Sequence, residues 1–378
     1  MHYVRSLDGL RGVAVLAVLC MHAAFATPVE HREATDVIAF SVLRFGWLGV
    51  DCFFVLSGFL ITSILLSVRD GGATSSAFAN FYARRALRIF PIYYLYLGVL
   101  ALPVGQAPAH TTELTWLATY TQNVFWPLYG SQLWPWVGHL WSLAIEEHFY
   151  LIWPWIVLCV TPRNVPRLIV VTIIGVIALR IAAFETGWGG FVYMSTLTRM
   201  DSLLVGALLS YARAGFAPSL APWLLSRPAW LVVGCFSLYL LAQLFAGIGV
   251  IGLVNQSVGY TLFAFGCAGV IGNLTGQPSR CARPLEHSSI VAVGRVSYGV
   301  YIYHMPVFVL LKVVLRMLHP AWQTGSYLVD FCSFMLVGTA VTLGIAAVSY
   351  RLIERPLLRL KPARSSAATG AAEFSSVG

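Results

Sequence analysis

The chain has 378 residues, of which 58% are hydrophobic and only 10% are charged, and its mean hydropathy is +0.77. A water-soluble globular domain needs more charged residues than this to keep its surface hydrated. The composition therefore excludes a water-soluble globular protein and indicates an integral membrane protein. The formal net charge of +9 is typical of a membrane protein whose cytoplasmic loops are basic, and it gives no reason to expect a nucleic-acid partner.

Apolar stretches of roughly 20 residues predict an all-α, polytopic membrane protein with about ten transmembrane helices. The predicted helices are 7–27, 43–67, 88–104, 138–160, 168–185, 197–214, 228–247, 254–274, 295–318 and 327–353. Placing both termini in the cytoplasm puts 18 of the 24 Lys and Arg residues on the cytoplasmic side, as the positive-inside rule favours. Residues 358–378, rich in Ala and Ser, are expected to form a disordered cytoplasmic tail after a transmembrane domain of residues 1–357.

The first predicted helix carries Arg11 and His22, which are eleven positions apart. At about 100° per residue they share one face of the helix, roughly 16 Å apart along its axis. This face of the helix is therefore predicted to line a polar site. An Arg at the membrane interface and a core His bonded to a backbone carbonyl would give the same pattern. The N-terminus also imitates a secretory signal peptide, but the alternation of basic and non-basic loops favours a retained anchor.

The fourth predicted helix carries Glu146, Glu147 and His148 in a row. Ionising one carboxylate at a bilayer centre costs about 2 to 3 kcal/mol, so these groups imply a polar cavity or a cationic partner. Residues three or four apart form one polar stripe, whose members are His139, Ser142, Glu146 and Tyr150. Glu147 is predicted to turn about 100° away, which makes Glu146 the better candidate. The alternative is a structural carboxylate paired with an Arg of another helix.

Three arginines, Arg84, Arg85 and Arg88, fall within one turn at the predicted cytoplasmic start of the third helix. Guanidinium groups bind phosphate in a bidentate manner, so the cluster suits a phosphate-bearing ligand, although topology alone also supplies basic residues there. The seven cysteines show no C-x-x-C pair, and neither disulfides nor a metal site is expected.

Several short motifs recur in one order along the chain. They are R-S-L-D-G-L-R-G at 5–12 with His22, G-V-D-C-F-F-V-L-S-G-F-L at 49–60, F-Y-A-R-R-A-L-R at 81–88, L-W-S-L-A-I-E-E-H-F-Y-L at 140–151, Arg199-Met200-Asp201, Gly294 with Ser297-Tyr298, Tyr301, His304-Met305-Pro306, and Glu354-Arg355-Pro356. In order and spacing, this set resembles the acyltransferase-3 family of bacterial integral membrane O-acyltransferases.

The resemblance implies a multi-pass enzyme of the bacterial inner membrane that modifies polysaccharides. It would transfer an acyl group, often acetyl, from cytoplasmic acyl-CoA to a hydroxyl of a glycan, lipid-linked sugar or macrolide, with no bound cofactor. In that family the Arg and His of R-x10-H are needed for activity, which carries over to Arg11 and His22. The R-x-x-R is assigned to donor binding, which carries over to Arg85 and Arg88.

This assignment agrees with the chemistry of the residues. An alcohol needs a base to attack a thioester, and the neutral imidazole of His22 can act as that base. Glu146 would stabilise the imidazolium that forms when His22 accepts the proton. Direct attack by the hydroxyl is favoured over an acyl-histidine. The candidate catalytic residues are His22, Glu146 and Arg11, and the candidate substrate-binding residues are Asp8, Arg84, Arg85, Arg88, Ser142, Tyr150, Arg199, Asp201, Tyr298 and His304.

The rival class is a proton-coupled exporter of a lipid or glycoconjugate. Such a transporter would also bury Glu, Arg and His in its helices. The two halves of this chain show neither repeat symmetry nor paired broken helices, which favours the enzyme.

Overall fold

The computed structural model describes residues 3–27, 34–70, 75–104, 108–226, 232–238, 255–276, 280–318, 324 and 326–360, and the regular structure of these residues is entirely helical. The α-helices with their bounds are α1 (Arg5–Ala26), α2 (Ala34–Leu43), α3 (Leu48–Asp70), α4 (Ser75–Val104), α5 (Pro108–Ala118), α6 (Gln122–Tyr129), α7 (Trp134–Val137), α8 (Trp141–Cys159), α9 (Val165–Glu185), α10 (Gly189–Met194), α11 (Thr196–Arg213), α12 (Tyr260–Thr275), α13 (Ser288–Arg295), α14 (Ser297–Leu318), α15 (Tyr327–Ser349) and α16 (Arg355–Arg359). Short 3-10 or π-helical segments join several of them, at Arg44–Trp47, Gly138–Leu140, Pro222–Ser226, Asn255–Gly259, Arg280–Glu286 and Tyr350–Glu354.

Seven helices in the described part of the chain are long and apolar enough to cross a bilayer. They are Arg5–Ala26, Ala39–Arg69, Ser76–Leu102, Val165–Glu185, Gln256–Thr275, Ser297–Leu318 and Tyr327–Arg359. The all-α, polytopic class is therefore confirmed, whereas the predicted number of ten helices is not established.

The other three predicted helices differ from these seven in ways that the sequence explains. The stretches 138–160 and 197–214 do form helices, α8 and α11, but their intramembrane charges lower the apolar character of each. The stretch 228–247 falls largely outside the described residues, as does the predicted tail from residue 361 onwards.

Helix α1 and helix α3 are each held against a partner by glycines at the point of contact. A Cβ atom on Gly294 of α13 would lie 1.7 Å from the carbonyl oxygen of Asp8 in α1. A Cβ atom on Gly206 of α11 would lie 2.0 Å from the carbonyl oxygen of Val55 in α3. Small residues let helix backbones approach this closely, which fixes the positions of the helices that carry the candidate site.

Two buried ion pairs join α11 to neighbouring helices. The guanidinium of Arg199 donates to both carboxylate oxygens of Asp51 at 2.8 Å and lies 3.8 Å from the centre of the Tyr260 ring. Arg180 of α9 pairs with Asp201, and all four charged side chains are completely buried. Removing one member would leave an uncompensated charge, so these pairs fix the packing of α3, α9, α11 and α12.

The segment 108–137, which the sequence left as a connection, folds into three short helices around Glu113. The Glu113 carboxylate accepts hydrogen bonds from Trp126 Nε1 at 2.9 Å, from Ser131 Oγ, and from the backbone N–H groups of Gln132 and Leu133 at 3.0 and 3.2 Å. Four donors satisfy the buried carboxylate and hold the start of α7 in place.

Candidate active site

Two cavities lie between the helices that carry the sequence motifs. The larger has a volume of about 670 Å³ and an aromatic wall, and we call it the aromatic cavity. Its lining residues are Met21, His22, Phe25, Ala26, Val50, Trp134, Pro135, Gly138, His139, Trp141, Tyr193, Tyr301, Met305, Phe308, Val309, Lys312, Val313 and Arg316.

The smaller cavity has a volume of about 90 Å³ and a charged wall, and we call it the basic cavity. Its lining residues are Arg11, Val50, Phe53, Phe54, Ser57, Arg85, Arg88, Ile89, Ser142, Leu143, Glu146, Glu147, Tyr150, Ser297, Tyr298 and Tyr301. Val50 and Tyr301 line both cavities, so these two side chains form a wall that the cavities share.

His22 lies half-buried on the wall of the aromatic cavity, and its contacts define its tautomer. Its Nδ1 lies 3.0 Å from the carbonyl oxygen of Val18 and 3.2 Å from Nε2 of His304. His304 Nδ1 lies 2.7 Å from the carbonyl oxygen of Tyr301 and must donate to it, which leaves His304 Nε2 as an acceptor. Both neighbours of His22 Nδ1 are then acceptors, so the proton is on Nδ1 and Nε2 of His22 carries the lone pair.

A third imidazole, that of His139, completes a histidine cluster made of His22, His139 and His304. The ring centres of His139 and His304 are 4.8 Å apart, as are those of His22 and His304. The hydroxyls of Ser142 and Tyr301 lie 2.6 Å apart, and that of Tyr301 donates to the carbonyl oxygen of His139 at 2.8 Å. Polar contacts therefore run from the histidine cluster to the wall that the two cavities share. The described residues contain no group of three or more His, Cys, Asp or Glu suited to a metal ion.

In the basic cavity, Glu146 accepts hydrogen bonds from Ser57 Oγ at 2.9 Å and from Tyr150 OH at 3.0 Å. Glu146 and His22, which the sequence predicts to act together, line different cavities: within the described residues no hydrogen bond joins the two, and the imidazole next to His22 is that of His304. The reason is depth, because Glu146 lies seven residues beyond His139, roughly 10 Å further along the helix.

Glu147, which is predicted to lie about 100° around the helix from the polar stripe, also lines the basic cavity. The wall includes Leu143, Glu146, Glu147 and Tyr150, so it covers a wider arc of α8 than one narrow stripe. His148 lines neither of these two cavities, and its Nδ1 lies 2.7 Å from Thr196 Oγ1.

The arginines predicted to bind the donor divide into two groups. Arg85 and Arg88 line the basic cavity, and the guanidinium of Arg85 lies 5.3 Å from the ring centre of Tyr150. Arg84 lies outside the lining of both cavities. Arg11 lines the basic cavity from α1, where it pairs with Asp8 at 3.1 Å.

The remaining substrate-binding candidates differ in how they reach the cavities. Tyr298 lines the basic cavity and donates to the carbonyl oxygen of Ile89 at 2.8 Å. Arg199 and Asp201 line neither cavity and are completely buried in the ion pairs described above, so the structure gives them a packing role. Sequence spacing could not reveal this, because Asp51, the partner of Arg199, lies 148 positions away.

Sequence reasoning missed several lining residues because nothing in their local pattern distinguishes them from lipid-facing or core positions. Ser57, the partner of Glu146, lies inside a motif but was given no role. The aromatic side chains of the larger cavity, Trp134, Trp141 and Tyr193, come from three separate helices. Lys312 and Arg316 belong to the six Lys and Arg residues that the predicted topology does not place on the cytoplasmic side, and their spacing predicts no site.

Comparison with known proteins identifies the family. A sequence model of the acyltransferase domain, Acyl_transf_3, matches residues 4–351. O-acetyltransferase OatA of Staphylococcus aureus (strain NCTC 8325 / PS 47) is 28% identical over 371 residues, which is 94% of this chain and 57% of the relative. Peptidoglycan O-acetyltransferase OatA of Listeria monocytogenes is 28% identical over 379 residues, 94% of this chain and 56% of the relative. The chain thus spans little more than half the length of these relatives, and no solved structure matches it. With nearly its whole length matched by the family model, the chain belongs to the acyltransferase-3 family of membrane acyltransferases.

Proposed function

We propose that the protein is an O-acyltransferase of the bacterial plasma membrane that moves an acetyl group from cytoplasmic acyl-CoA to a hydroxyl of an extracytoplasmic glycan. The observation that carries the proposal is the wall of Val50 and Tyr301 that two chemically different cavities share, with His22 on the lining of the aromatic one. The Staphylococcus and Listeria relatives are O-acetyltransferases by name, which supports the choice of acetyl as the group transferred.

The basic cavity suits the donor. Arg11, Arg85 and Arg88 supply three guanidiniums, which bind phosphates well, and the positive-inside rule assigns this end of the helices to the cytoplasm. A volume of about 90 Å³ excludes a nucleotide. The phosphates of CoA would therefore bind at the rim, and only the slender pantetheine arm would enter towards Tyr301.

The aromatic cavity suits the acceptor. Its volume of about 670 Å³ is in the range of ligand sites, and Trp134 and Trp141 offer flat apolar faces to a sugar ring. The Listeria relative acts on peptidoglycan by name. A glycan hydroxyl is accordingly the acceptor class proposed for this chain.

The transfer itself needs one base. His22 Nε2 accepts the proton of the acceptor hydroxyl as its oxygen attacks the thioester carbonyl, so that a C–O bond forms and the C–S bond breaks. The leaving CoA thiolate then takes that proton from the imidazolium. His304 stabilises the imidazolium because its Nε2 accepts from His22 Nδ1. Glu146 and Arg11 act at the donor end, where Glu146 orients Ser57 and Tyr150.

The test is His22→Asn in the purified protein, with acyl-CoA consumption and acceptor acylation as readouts. Loss of a general base predicts a fall in kcat of roughly 10² to 10⁴, with donor binding little changed. His148→Asn is the matched control, since that imidazole bonds to Thr196 and lines neither of the two cavities. Wild-type turnover in His22→Asn would remove the base from the mechanism. A wild-type protein that consumes no acyl-CoA would favour the exporter.

A further inference from the structure

The aromatic cavity has a cationic end that the transfer chemistry does not use. One face of α14 lines the cavity, and after Tyr301, Met305 and Phe308 it ends in Lys312 and Arg316, one turn apart. The side chain of Lys312 is half-buried and that of Arg316 is exposed. The same wall that begins at the histidine cluster therefore ends in two positive charges.

A third cation faces an adjoining space. A cavity of about 350 Å³ shares Met21, Phe25 and Tyr193 with the aromatic cavity and is lined by Arg44. Neither cavity has an Asp or Glu among its described lining residues. Within the described part of the chain, Arg44, Lys312 and Arg316 form no salt bridge.

Topology gives no account of these three cations. The positive-inside rule explains basic residues at cytoplasmic helix ends, and it assigns Arg44, Lys312 and Arg316 to the minority placed elsewhere. A cavity wall with cations and no acid attracts anions, and its low-dielectric surroundings strengthen the attraction. The position of these charges on the cavity wall therefore favours an anionic occupant.

We infer that the acceptor is anionic and that Lys312 and Arg316 bind its negative group while its hydroxyl lies at His22. This inference rests on the proposed function, because it takes the aromatic cavity as the acceptor site. Lys312 and Arg316 lie eight and twelve residues beyond His304, so the anion lies roughly 12 to 18 Å from the reacting hydroxyl along the helix axis. A phosphate or a carboxylate a few sugar rings away from that hydroxyl meets this requirement.

The experiment measures binding to the purified wild-type protein through the fluorescence of its tryptophans, two of which line the cavity. The probes are the N-acetylglucosamine tetramer, its reducing-end 1-phosphate, its reducing-end aldonate and a prenyl pyrophosphate without sugar. The tetramer 1-phosphate is expected to bind about tenfold or more tighter than the neutral tetramer, with a preference that weakens as salt rises. Tighter binding of the aldonate than of the 1-phosphate would identify the anionic group as a carboxylate. Competition by the prenyl pyrophosphate would identify it as the phosphate of a lipid-linked sugar.

The variant that tests the site is Lys312→Gln with Arg316→Gln, which is expected to abolish the preference for charged tetramers and leave neutral binding unchanged. Arg351→Gln with Arg359→Gln removes the same charge from exposed positions after α15, and it should retain the preference. The inference is overturned if the wild type binds charged and neutral tetramers equally, or binds neither. It is also overturned if the double Gln variant keeps the preference for charged tetramers. Acyl-CoA consumption in the same preparation keeps the two proposals apart, since turnover without anion preference removes only this one.

Discussion

Glu146 and Glu147 are neighbours that both line the basic cavity, but their hydrogen bonding differs. Glu146 accepts from Ser57 and Tyr150, whereas Glu147 has no hydrogen bond within the described residues. Glu146→Gln should therefore lower the rate of acyl transfer about tenfold or more, since a charge-assisted hydrogen bond contributes about 1.5 to 3 kcal/mol. Glu147→Gln, measured by the same initial rates, should cost less. If the two variants lose the same activity, or Glu147→Gln loses more, the donor approaches a different part of the α8 surface.

Arg85 and Arg88 should act on donor binding because both guanidiniums line the basic cavity. Changing both to Gln should raise the KM for acyl-CoA about tenfold or more, and Lys replacements should restore binding only in part, as Lys lacks the planar fork. Arg84→Gln is the matched comparison, since this neighbour lies outside the cavity lining and should change the donor KM less. An unchanged donor KM in the double Gln variant would contradict the proposed donor site.

At the residue scale, the sequence could predict faces of single helices but not which faces meet. The shared face of Arg11 and His22 follows from eleven residues of spacing, and each of them lines one of the two cavities. The contact between His22 and His304 spans 282 positions and depends on how α1 packs against α14. For the same reason the spacing could not show that Glu146 bonds to Ser57 of α3.

At the element scale, close helix crossings hold the site, and Gly206 is the sharpest test of this. Because its Cβ would lie 2.0 Å from the carbonyl oxygen of Val55, Gly206→Ala must push α11 away from α3, at a cost of about 1 to 3 kcal/mol. The expected result is a lower unfolding temperature in detergent. Gly98→Ala is the control, because nothing lies within 4 Å of its Cβ position. Equal unfolding temperatures for the two variants would show that this crossing tolerates separation.

The limits of helix prediction also have a physical cause. Hydropathy detects apolar stretches, so the predicted third helix begins at residue 88. In the structure α4 begins at Ser75, and the three arginines lie inside the helix. The short helices α5 to α7 escaped detection because the buried Glu113 carboxylate, rather than an apolar stretch, ties their segment together. A single sequence gives no sign of which distant donors such a carboxylate will find.

At the scale of the whole molecule, the proposed mechanism treats the two cavities as one path, with a basic donor end, His22 as the base and a cationic acceptor end. The positive-inside rule orients the basic end towards the cytoplasm. This part of the proposal rests only on the hydropathy and charge pattern of the sequence. The path predicts that donor and acceptor are used from opposite faces of the membrane.

Sidedness of acetyl-CoA use in membrane vesicles tests this most directly, because CoA does not cross a bilayer and the native acceptors remain in the membrane. Inside-out vesicles from cells that express the protein should consume added radiolabelled acetyl-CoA and label an enclosed glycan, and the His22→Asn variant should abolish that labelling. Right-side-out vesicles should do neither. Consumption by right-side-out vesicles at the same rate, or labelling that persists in His22→Asn, would contradict transfer across the membrane through these two cavities.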